Sequence, residues 1–323
     1  MNPMNDIEDF LFSKYLADSS KNKNLQELFY AYRSPSTRNT QVKEMDLAAL
    51  YMIARGRPIM SVMAKIIKEN LDFFRNVRSV VDYGGGPGTF LFALSDFIKI
   101  KQYTNVEWSR EFITLSKTLA KEFLSPSNPD LMVDSICKNY LQLASKEIAE
   151  KDLSIFSYTL CESDDSLASL VRLVEKSERV FILEPGTPLG FKNILQARDQ
   201  LLEKEFYVVA PCTVSSNFCP LRESENDWCH FVERLGRSRI QMGIKKGVLG
   251  YEDEKYAYLL LSNSPFPREG KRIISRPKVT KYSLSLEICS EKERSVEILK
   301  KDDKAVFKAG KKSIRGDMYR SGA

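Results

Sequence analysis

The hydrophobic positions along the chain change their spacing near residue 78. Before that point apolar residues recur at helical spacing, as in ALYMIARGRPIMSVMAKIIKENLDFF, which Gly56 and Pro58 interrupt. After it, short apolar runs alternate with amphipathic helical segments. We therefore predict a helical region over residues 1–75, followed by an α/β domain that begins at residue 76.

The apolar runs of the second region have the length and composition of buried strands. Strands are predicted for RSVVDY, YTNVEW, LSIFSY, RVFILEP and FYVVAP, and helices for intervening segments such as REFITLSKTLAKEF and GFKNILQARDQLLEKE. This alternation predicts a mostly parallel sheet that is covered on both faces. Beyond residue 211 the regularity gives way to a cysteine-bearing insertion over residues 211–250, in which we expect a basic helical segment. A late strand, YAYLLLS, is predicted to return to the sheet.

The last part of the chain is predicted to be a separate β-rich extension. Short strand candidates recur from about residue 265, including YSLSLEIC and RSVEILKK. The α/β domain accordingly covers residues 76–263, and the extension covers residues 264–323.

The composition is that of a folded globular protein, with 43% hydrophobic and 28% charged residues. No apolar run of about 18 residues occurs, so no membrane span is predicted. The early acids Asp6, Glu8 and Asp9 do not fit a signal or transit peptide. We therefore expect a cytoplasmic protein of the bacterial type, or a mitochondrial matrix protein if the source is a eukaryote, and we expect a monomer.

The net charge of +6 is concentrated near the C-terminus. Residues 264–323 contain sixteen Lys or Arg and eight Asp or Glu, so this segment carries +8 and the rest of the chain −2. Such a distribution favours a polyanion such as RNA as partner. A lysine-rich surface that is simply solvated is the alternative.

A glycine-rich loop follows the first predicted strand in VVDYGGGPGTF. The strand ends at Asp82, the glycines Gly84, Gly86 and Gly88 follow at alternate positions, and a helix candidate comes next. This spacing is shorter than the dinucleotide pattern and is typical of class I (Rossmann-like) methyltransferases, which bind S-adenosylmethionine. Glu107, at the end of the next strand, is predicted to accept hydrogen bonds from the ribose hydroxyls. A plain turn or a nicotinamide site are the alternatives.

Binding this cofactor does not by itself establish methyl transfer. The segment after the fourth strand reads SYTLCES, which lacks the Asn/Asp-Pro-Pro-aromatic motif of many enzymes that methylate exocyclic base nitrogens. Cys161 lies near the place of an RNA cytosine methyltransferase nucleophile, but the acids beside it would not lower its pKa. No catalytic residue is therefore assigned.

Three cysteines, Cys212, Cys219 and Cys229, fall within eighteen residues. No C-x2-C pair is present, so a zinc finger is not indicated. Cys289, at the end of the strand candidate YSLSLEIC, could supply a fourth thiolate more easily than His230, which adjoins Cys229. Four thiolates suit zinc or an iron–sulfur cluster, and their spacing does not decide between the two. A chance clustering of cysteines is the remaining alternative.

Several of these segments together resemble a known protein family. They include ALYMIARGRPIMSVM, VVDYGGGPGT, ILEPGTPLGFKNILQARDQLL and the more specific series APC, CPL, DWCHFVERLGRSR and KKGVLGYEDEKYAYLLLS. The chain resembles the methyltransferase-like assembly factors of the mitochondrial small ribosomal subunit and their bacterial relatives. The resemblance runs from about residue 30 to the RGD sequence at residues 315–317.

The resemblance implies a [4Fe–4S] cluster on Cys212, Cys219, Cys229 and Cys289, with zinc as the alternative. It also implies binding to ribosomal RNA of the small subunit during assembly. The segment FVERLGRSRIQMGIKK could contact that RNA, because arginine and lysine bind phosphate. Its predicted RNA-binding residues are Arg234, Arg237, Arg239, Lys245 and Lys246.

Three functions are compatible with these features. The first is an assembly factor that holds S-adenosylmethionine and an iron–sulfur cluster, and the missing catalytic motif favours it. The second is an active ribosomal RNA methyltransferase, and the intact glycine loop favours it. The third is a small-molecule methyltransferase with structural zinc.

Overall fold

The computed structural model describes seven ranges of the chain: residues 3–17, 45–162, 165–213, 218–245, 247–267, 270–290 and 293–319. The chain divides into two compact units. Unit 1 comprises Met1–Ser177 and Glu233–Glu254, and unit 2 comprises Glu178–Val232 and Lys255–Ala323. Each unit is thus assembled from two separate stretches of sequence. The domain boundaries predicted above stay predictions.

Unit 1 contains most of the helices that the structure describes. They are α1 (Pro3–Leu11), α2 (Met45–Tyr51), α3 (Arg57–Glu69), α4 (Leu71–Phe74), α5 (Thr89–Ser95), α6 (Arg110–Leu119), α7 (Ser166–Leu173) and α9 (Arg239–Lys245). Short π-helical turns extend three of them, at Phe12–Leu16, Met52–Gly56 and Ala120–Leu124. The predicted interruption near Gly56 is therefore a π-helical turn that leads directly into α3, whose second residue is Pro58.

The strands of unit 1 form a parallel arrangement around β1. They are β1 (Ser79–Tyr83), β2 (Gln102–Glu107), β3 (Met132–Cys137) and β4 (Lys151–Ser157), in the spatial order β3-β2-β1-β4. Val81 pairs with Thr104 of β2 on one side and with Ser154 of β4 on the other. Because parallel strands end at the same edge, the residues after β1, β2 and β4 are brought close together.

The first stretch of unit 2 continues the alternation of strands and helices. It contains β5 (Ser177–Pro185), α8 (Pro188–Leu202) and β6 (Tyr207–Ala210), and Thr187 caps α8 by accepting a hydrogen bond from the Gly190 amide at 3.1 Å. Strand β8 (Tyr251–Ser262) lies antiparallel to both β5 and β6. The late strand that returns to the sheet is thereby confirmed.

The second stretch of unit 2 forms an antiparallel sheet of its own. Its strands are β9 (Lys271–Ile273), β10 (Lys278–Val279), β11 (Ser283–Cys289), β12 (Arg294–Lys300) and β13 (Met318–Tyr319). Buried Leu284, Leu286 and Ile288 alternate along β11, and helix α10 (Lys304–Lys312) packs on this face through Gly310. The predicted β-rich extension is confirmed, with this one helix added.

The predicted fold class, a Rossmann-like α/β sheet with an N-terminal helical region, is also confirmed. One expectation was wrong, because the segment after Cys229 is not helical throughout: Phe231–Gly236 is strand β7, which pairs with β8, and only Arg239–Lys245 is helix. Strand β3 was not predicted, since its residues are largely exposed and polar residues interrupt its apolar ones. No helix in the described ranges is long and apolar enough to cross a membrane.

Candidate functional site

The glycine loop connects β1 to α5 in unit 1. Gly84 and Gly86 both have positive φ values, +70° and +54°, which favour glycine. A methyl group added at Gly84 would lie 2.5 Å from Cγ2 of Thr159, whereas one added at Gly86 would meet no atom within 4 Å. The loop is therefore packed against the protein at Gly84 and faces open space at Gly86.

Glu107 ends β2 directly beside this loop. One of its carboxylate oxygens accepts a hydrogen bond from the Gly86 amide at 3.1 Å, and the other accepts one from the Ser109 amide at 2.8 Å. Burial raises the pKa of Glu107, and the backbone amides act in the opposite direction. The structure thus brings the predicted ribose-binding acid against the middle glycine of the predicted cofactor loop.

Asp82 lies beneath the loop and is buried. Its Oδ2 accepts a hydrogen bond from the Tyr103 hydroxyl at 2.7 Å, while its Oδ1 has no hydrogen-bond partner among the described residues. Burial raises the pKa of Asp82 to about 7, the hydrogen bond from Tyr103 opposes this shift, and the charge of Glu107 adds to it. Asn105 donates to the Gly86 carbonyl at 2.9 Å, and its own Oδ1 is also without a partner there.

Three residues that were not predicted meet at the same edge of unit 1. Tyr158 follows β4 and has a φ of +59°, a conformation that costs energy for a residue with a bulky side chain. Its hydroxyl donates to Oε1 of Glu254 at 3.4 Å, and Arg55 binds the same carboxylate with contacts of 2.9 and 3.3 Å. The next residue, Thr159, is the one that packs on Gly84.

The side chains of this group are all partly buried. The Arg55 guanidinium lies 5.9 Å from the centre of the Tyr158 ring, and Arg55 itself stands in the π-helical turn before α3. Burial raises the pKa of Tyr158 well above its usual value, and Glu254 adds to this effect. Residues 55, 158 and 254 are far apart in sequence, and none forms a motif, so spacing could not indicate them.

The four predicted metal ligands lie together in unit 2. Cys212, Cys219, Cys229 and Cys289 all line one cavity of about 40 Å³. Cys212 follows β6 and Cys289 ends β11. Cys219 and Cys229 pack against a small cluster of buried apolar residues that includes Phe191, Leu195 and Leu221.

The thiols of this cavity influence one another. Burial raises the pKa of Cys229, and the neighbouring Cys212 and Cys219 sulfurs add to the shift. Burial likewise raises the pKa of Cys289 to about 12. Within the described ranges, however, no group of three or more His, Cys, Asp or Glu side chains is arranged to hold a metal ion.

Contacts from distant parts of unit 2 hold the backbone around the cysteines. The Arg315 guanidinium donates to Asp227 at 2.8 Å and to the Trp228 carbonyl at 2.7 Å, on the N-terminal side of Cys229. Arg272 donates to the Pro211 carbonyl at 3.0 Å, and the Thr213 hydroxyl donates to the Cys289 carbonyl at 3.2 Å. The segments that carry the cysteines are thus also joined by hydrogen bonds between protein groups.

The predicted RNA-binding residues of unit 1 mostly form ion pairs. Arg234 binds Asp253 with contacts of 2.6 and 2.7 Å, while Arg237 and Lys245 both bind Glu252, at 3.2 and 2.9 Å. Arg239 is exposed and makes no ion pair within the described part of the chain. Lys246 lies outside the described residues. The acids of YEDEK therefore offset most of the positive charge assigned to this segment.

A cavity of about 760 Å³ in unit 1 lies between α1, α3 and the segment that follows β7. Its lining includes Glu8 and Arg57, which form a buried ion pair at 2.8 Å. None of the predicted cofactor residues lines it. This cavity is consequently separate from the glycine loop.

Solved structures that are similar to this chain include several methyltransferases. Magnesium protoporphyrin IX methyltransferase (ChlM) from Synechocystis, with bound SAM, is 13% identical and has a TM-score of 0.40, over 82% of this chain and 98% of its own. The plantazolicin methyltransferase BpumL in complex with SAH is 14% identical with a TM-score of 0.41, over 79% and 100%. TrmK of M. capricolum, with SAH, is 12% identical with a TM-score of 0.38, over 64% and 68%.

A search of curated proteins found no match. The profile of one protein family, described as "Mitochondrial small ribosomal subunit Rsm22", matches residues 45–320. The matched range contains the glycine loop with Glu107 as well as all four cysteines of the cavity. It spans well over half of the chain and confirms the resemblance seen in the sequence. This chain therefore belongs to the Rsm22 family.

Proposed function

We propose that this protein binds S-adenosylmethionine and a [4Fe–4S] cluster, contacts ribosomal RNA, and assists assembly of the small ribosomal subunit. The observation that carries the proposal is the meeting of four cysteines from separate segments in one cavity, in a member of a small-subunit family. Four converging thiols have little reason to occur in an ordinary methyltransferase domain. They have a clear use as ligands of an iron–sulfur cluster.

The cofactor loop is suited to S-adenosylmethionine in its shape and polar atoms. The open side of the loop is at Gly86, and the buried oxygens of Asp82 and Asn105 that lack partners lie beneath its backbone. Glu107 would accept hydrogen bonds from the ribose hydroxyls in place of the Gly86 amide. Bound S-adenosylmethionine would supply an activated methyl group, while Asp82, Gly84, Gly86, Gly88 and Glu107 would hold and orient it.

The family resemblance is the reason to propose a cluster in the cysteine cavity instead of a single zinc ion. Zinc would require four thiolates about 2.3 Å from one ion. In a [4Fe–4S] cluster each thiolate binds a different iron, so the four sulfurs surround a wider centre. Bound metal would keep Cys212, Cys219, Cys229 and Cys289 deprotonated and would add to the stability of unit 2.

Metal analysis of protein purified without oxygen tests the cluster. We expect a brown protein with about four irons and four sulfides per chain, and loss of both in Cys229→Ser or Cys289→Ser. Cys137→Ser is the matched control, because Cys137 is exposed at the end of β3 in unit 1. One zinc per chain would replace the cluster by a structural zinc, and absence of metal would overturn this part of the proposal.

Binding to ribosomal particles tests the assembly role. The wild-type protein should sediment with immature small subunits and not with mature ones, and its depletion should leave precursors of the small-subunit RNA to accumulate. Gly86→Asp, which introduces a carboxylate on the open side of the loop, should lose the cofactor. If this variant still supports assembly, the role does not require methyl transfer, whereas failure of the wild type to bind precursors would contradict the proposal.

An active ribosomal RNA methyltransferase is the second candidate, and the group around Tyr158 favours it. Strained backbone at the end of β4, next to the cofactor loop, is more common at active sites than elsewhere. Arg55 and Glu254 hold the phenol ring in place. A base placed against this ring would lie close to the methyl donor, which is what transfer to RNA requires.

Transfer from labelled S-adenosylmethionine into immature small subunits distinguishes the two candidates. Label in RNA with the wild type, lost in both Gly86→Asp and Tyr158→Ala but retained in Tyr158→Phe, would identify an enzyme with an aromatic acceptor site. Absence of label, in protein that binds the cofactor and supports assembly, would leave the assembly role alone.

The remaining parts of the proposal concern location and partners. The partner would be the small subunit with its RNA, and the protein would act as a monomer in the cytoplasm of a bacterium or in the mitochondrial matrix of a eukaryote. Cell fractionation and light scattering of the purified protein test these two statements. The third function, a small-molecule methyltransferase with structural zinc, would require one zinc per chain in the metal analysis.

A further inference from the structure

Helix α10 in unit 2 carries four lysines on a single face. Lys304, Lys308, Lys311 and Lys312 are all exposed. At about 100° per residue they fall within an arc of roughly 100° and extend over about 12 Å of the helix axis. In the described ranges, ion pairs with acids involve other lysines, namely Lys65, Lys138, Lys245, Lys271 and Lys278.

The fold alone does not explain this stripe. Lysines four residues apart on a helix repel each other, and Lys304–Lys308 and Lys308–Lys312 are two such pairs. A positive charge is favourable near a helix C-terminus, which accounts for Lys311 and Lys312. The same effect is unfavourable for Lys304 in the first turn, where Asp303 caps the helix by accepting from the Val306 amide at 3.1 Å.

More cations and an exposed aromatic ring adjoin the start of the helix. Tyr282 is 71% exposed, and the Lys281 ammonium lies 5.2 Å from the centre of its ring. The Lys301 amide donates to the Tyr282 carbonyl at 3.0 Å, and Lys300 pairs with Ser283. We call these side chains together the lysine surface: Lys281, Tyr282, Lys300, Lys301, Lys304, Lys308, Lys311 and Lys312.

Between residues 300 and 312 the chain carries six lysines and two acids, Asp302 and Asp303, so positive charge predominates. A third acid, Asp317, lies just beyond the helix, where it accepts a hydrogen bond from the Ile314 amide at 2.9 Å. A strong positive potential attracts a polyanion. A membrane surface fits poorly, because an interfacial helix must bury its apolar face in lipid. Here that face packs on the sheet instead, and a methyl group added at Gly310 would lie 2.6 Å from Leu284 and from Leu299.

We infer that the lysine surface is the main RNA-binding surface of this protein, with Tyr282 stacking on an unpaired base and the lysines binding phosphates along the strand. The inference rests on the proposed function for the identity of the polyanion. Aromatic rings among unpaired cations are the usual means of binding single-stranded RNA. By contrast Arg234, Arg237 and Lys245 already bind acids of their own unit.

Affinity for in vitro transcribed small-subunit RNA at several salt concentrations tests the inference. One variant, called the stripe variant, replaces Lys304, Lys308, Lys311 and Lys312 by Gln. The matched control replaces four exposed lysines of unit 1, Lys68, Lys99, Lys117 and Lys121, by Gln, so that the net charge changes equally. Melting curves establish that both variants remain folded.

We expect the stripe variant to bind about tenfold more weakly or worse, and the slope of log K against log salt to decrease by about 3. The control should bind like the wild type. Tyr282→Ala should weaken binding by about tenfold, and Tyr282→Phe should restore it, because phenylalanine also stacks.

Each other outcome overturns a different statement. If the wild type binds no RNA, the proposed RNA contact itself fails. If the wild type binds and the stripe variant binds equally well, or no worse than the control, the inference fails while the proposed function stands. If the stripe variant binds RNA normally but no longer joins immature subunits, the surface contacts a protein, and the inference is again overturned.

Discussion

The glycine loop of unit 1 and the cysteine cavity of unit 2 are formed in different ways. The loop and its acid lie within one strand–loop–helix–strand segment, from Asp82 to Glu107, and parallel pairing of β1 with β2 brings them together. The cavity draws its cysteines from positions as far apart as Cys212 and Cys289, and Arg315 supports it from farther still. The first site can be found from local spacing, whereas the second depends on tertiary contacts.

Asp82→Asn, beneath the glycine loop, should have the largest effect on stability. Because the pKa of Asp82 is raised to about 7, the folded protein holds a proton that the unfolded chain releases between about pH 4 and pH 7. The free energy of unfolding of the wild type therefore falls as the pH rises through this window. The variant, which has no such proton, should gain about 2–3 kcal/mol relative to the wild type between pH 5 and pH 8.

Urea unfolding of the cofactor-free protein at both pH values measures this difference. Asp130→Asn, at an exposed acid, is the control. A difference between Asp82→Asn and the wild type that does not change with pH would show that the buried carboxyl does not titrate in this range.

Arg315→Ala should destabilise unit 2 around the cysteine cavity by about 2–3 kcal/mol, because it removes charge-assisted hydrogen bonds to Asp227 and to the Trp228 carbonyl. The iron content should fall with it. Arg315→Lys keeps the charge and should lose less stability and less iron than Arg315→Ala. Normal stability and full iron content in the alanine variant would mean that the cysteines alone hold the site together.

Gly84→Ala should destabilise unit 1 by about 2 kcal/mol, since it adds a methyl group 2.5 Å from Thr159 at a positive φ. Combining it with Thr159→Ser, which removes the Cγ2 methyl group that the added methyl would contact, should recover about half of the lost stability. Thermal unfolding of both single variants and the double variant measures the coupling. Strictly additive effects would show that backbone strain, not contact, accounts for the loss.

Glu107→Gln should have the smallest effect, about a tenfold loss of affinity for S-adenosylmethionine, as the amide is a weaker acceptor for ribose hydroxyls than a carboxylate. Isothermal titration calorimetry measures it. Iron content should not change, because the cysteines belong to the other unit. Unchanged affinity would remove Glu107 from the predicted cofactor site.

Apolar runs made β1, β4, β5, β6 and β8 predictable, because strands buried on both faces consist largely of such residues. Strand β2, QYTNVE, was predicted although polar residues interrupt it. Strand β3 was missed, and all six of its positions are exposed or half-buried. Strand β7 was expected to be helical, because the many charges of the segment concealed its alternation. Its pairing with β8 determines its conformation.

The candidate sites were predictable to the extent that their chemistry is visible in residue type. Glycines and cysteines stand out by residue type, and the predicted acid Glu107 does lie beside Gly86. The roles assigned to these residues stay predictions. The group of Arg55, Tyr158 and Glu254 could not be found, because only the folded chain brings these residues together. The charge of the arginine segment was visible, but its ion pairs with YEDEK follow from the pairing of β7 with β8.

The division of both units between separate stretches of sequence affects how the protein is made. The chain passes from one unit to the other after Ser177, Val232 and Glu254. At about 5–20 residues per second, several seconds separate the synthesis of Cys212 from that of Cys289, and Arg315 comes later still. During most of that interval Cys212, Cys219 and Cys229 have been synthesised without Cys289, so the proposed metal site can be complete only when the chain is nearly finished.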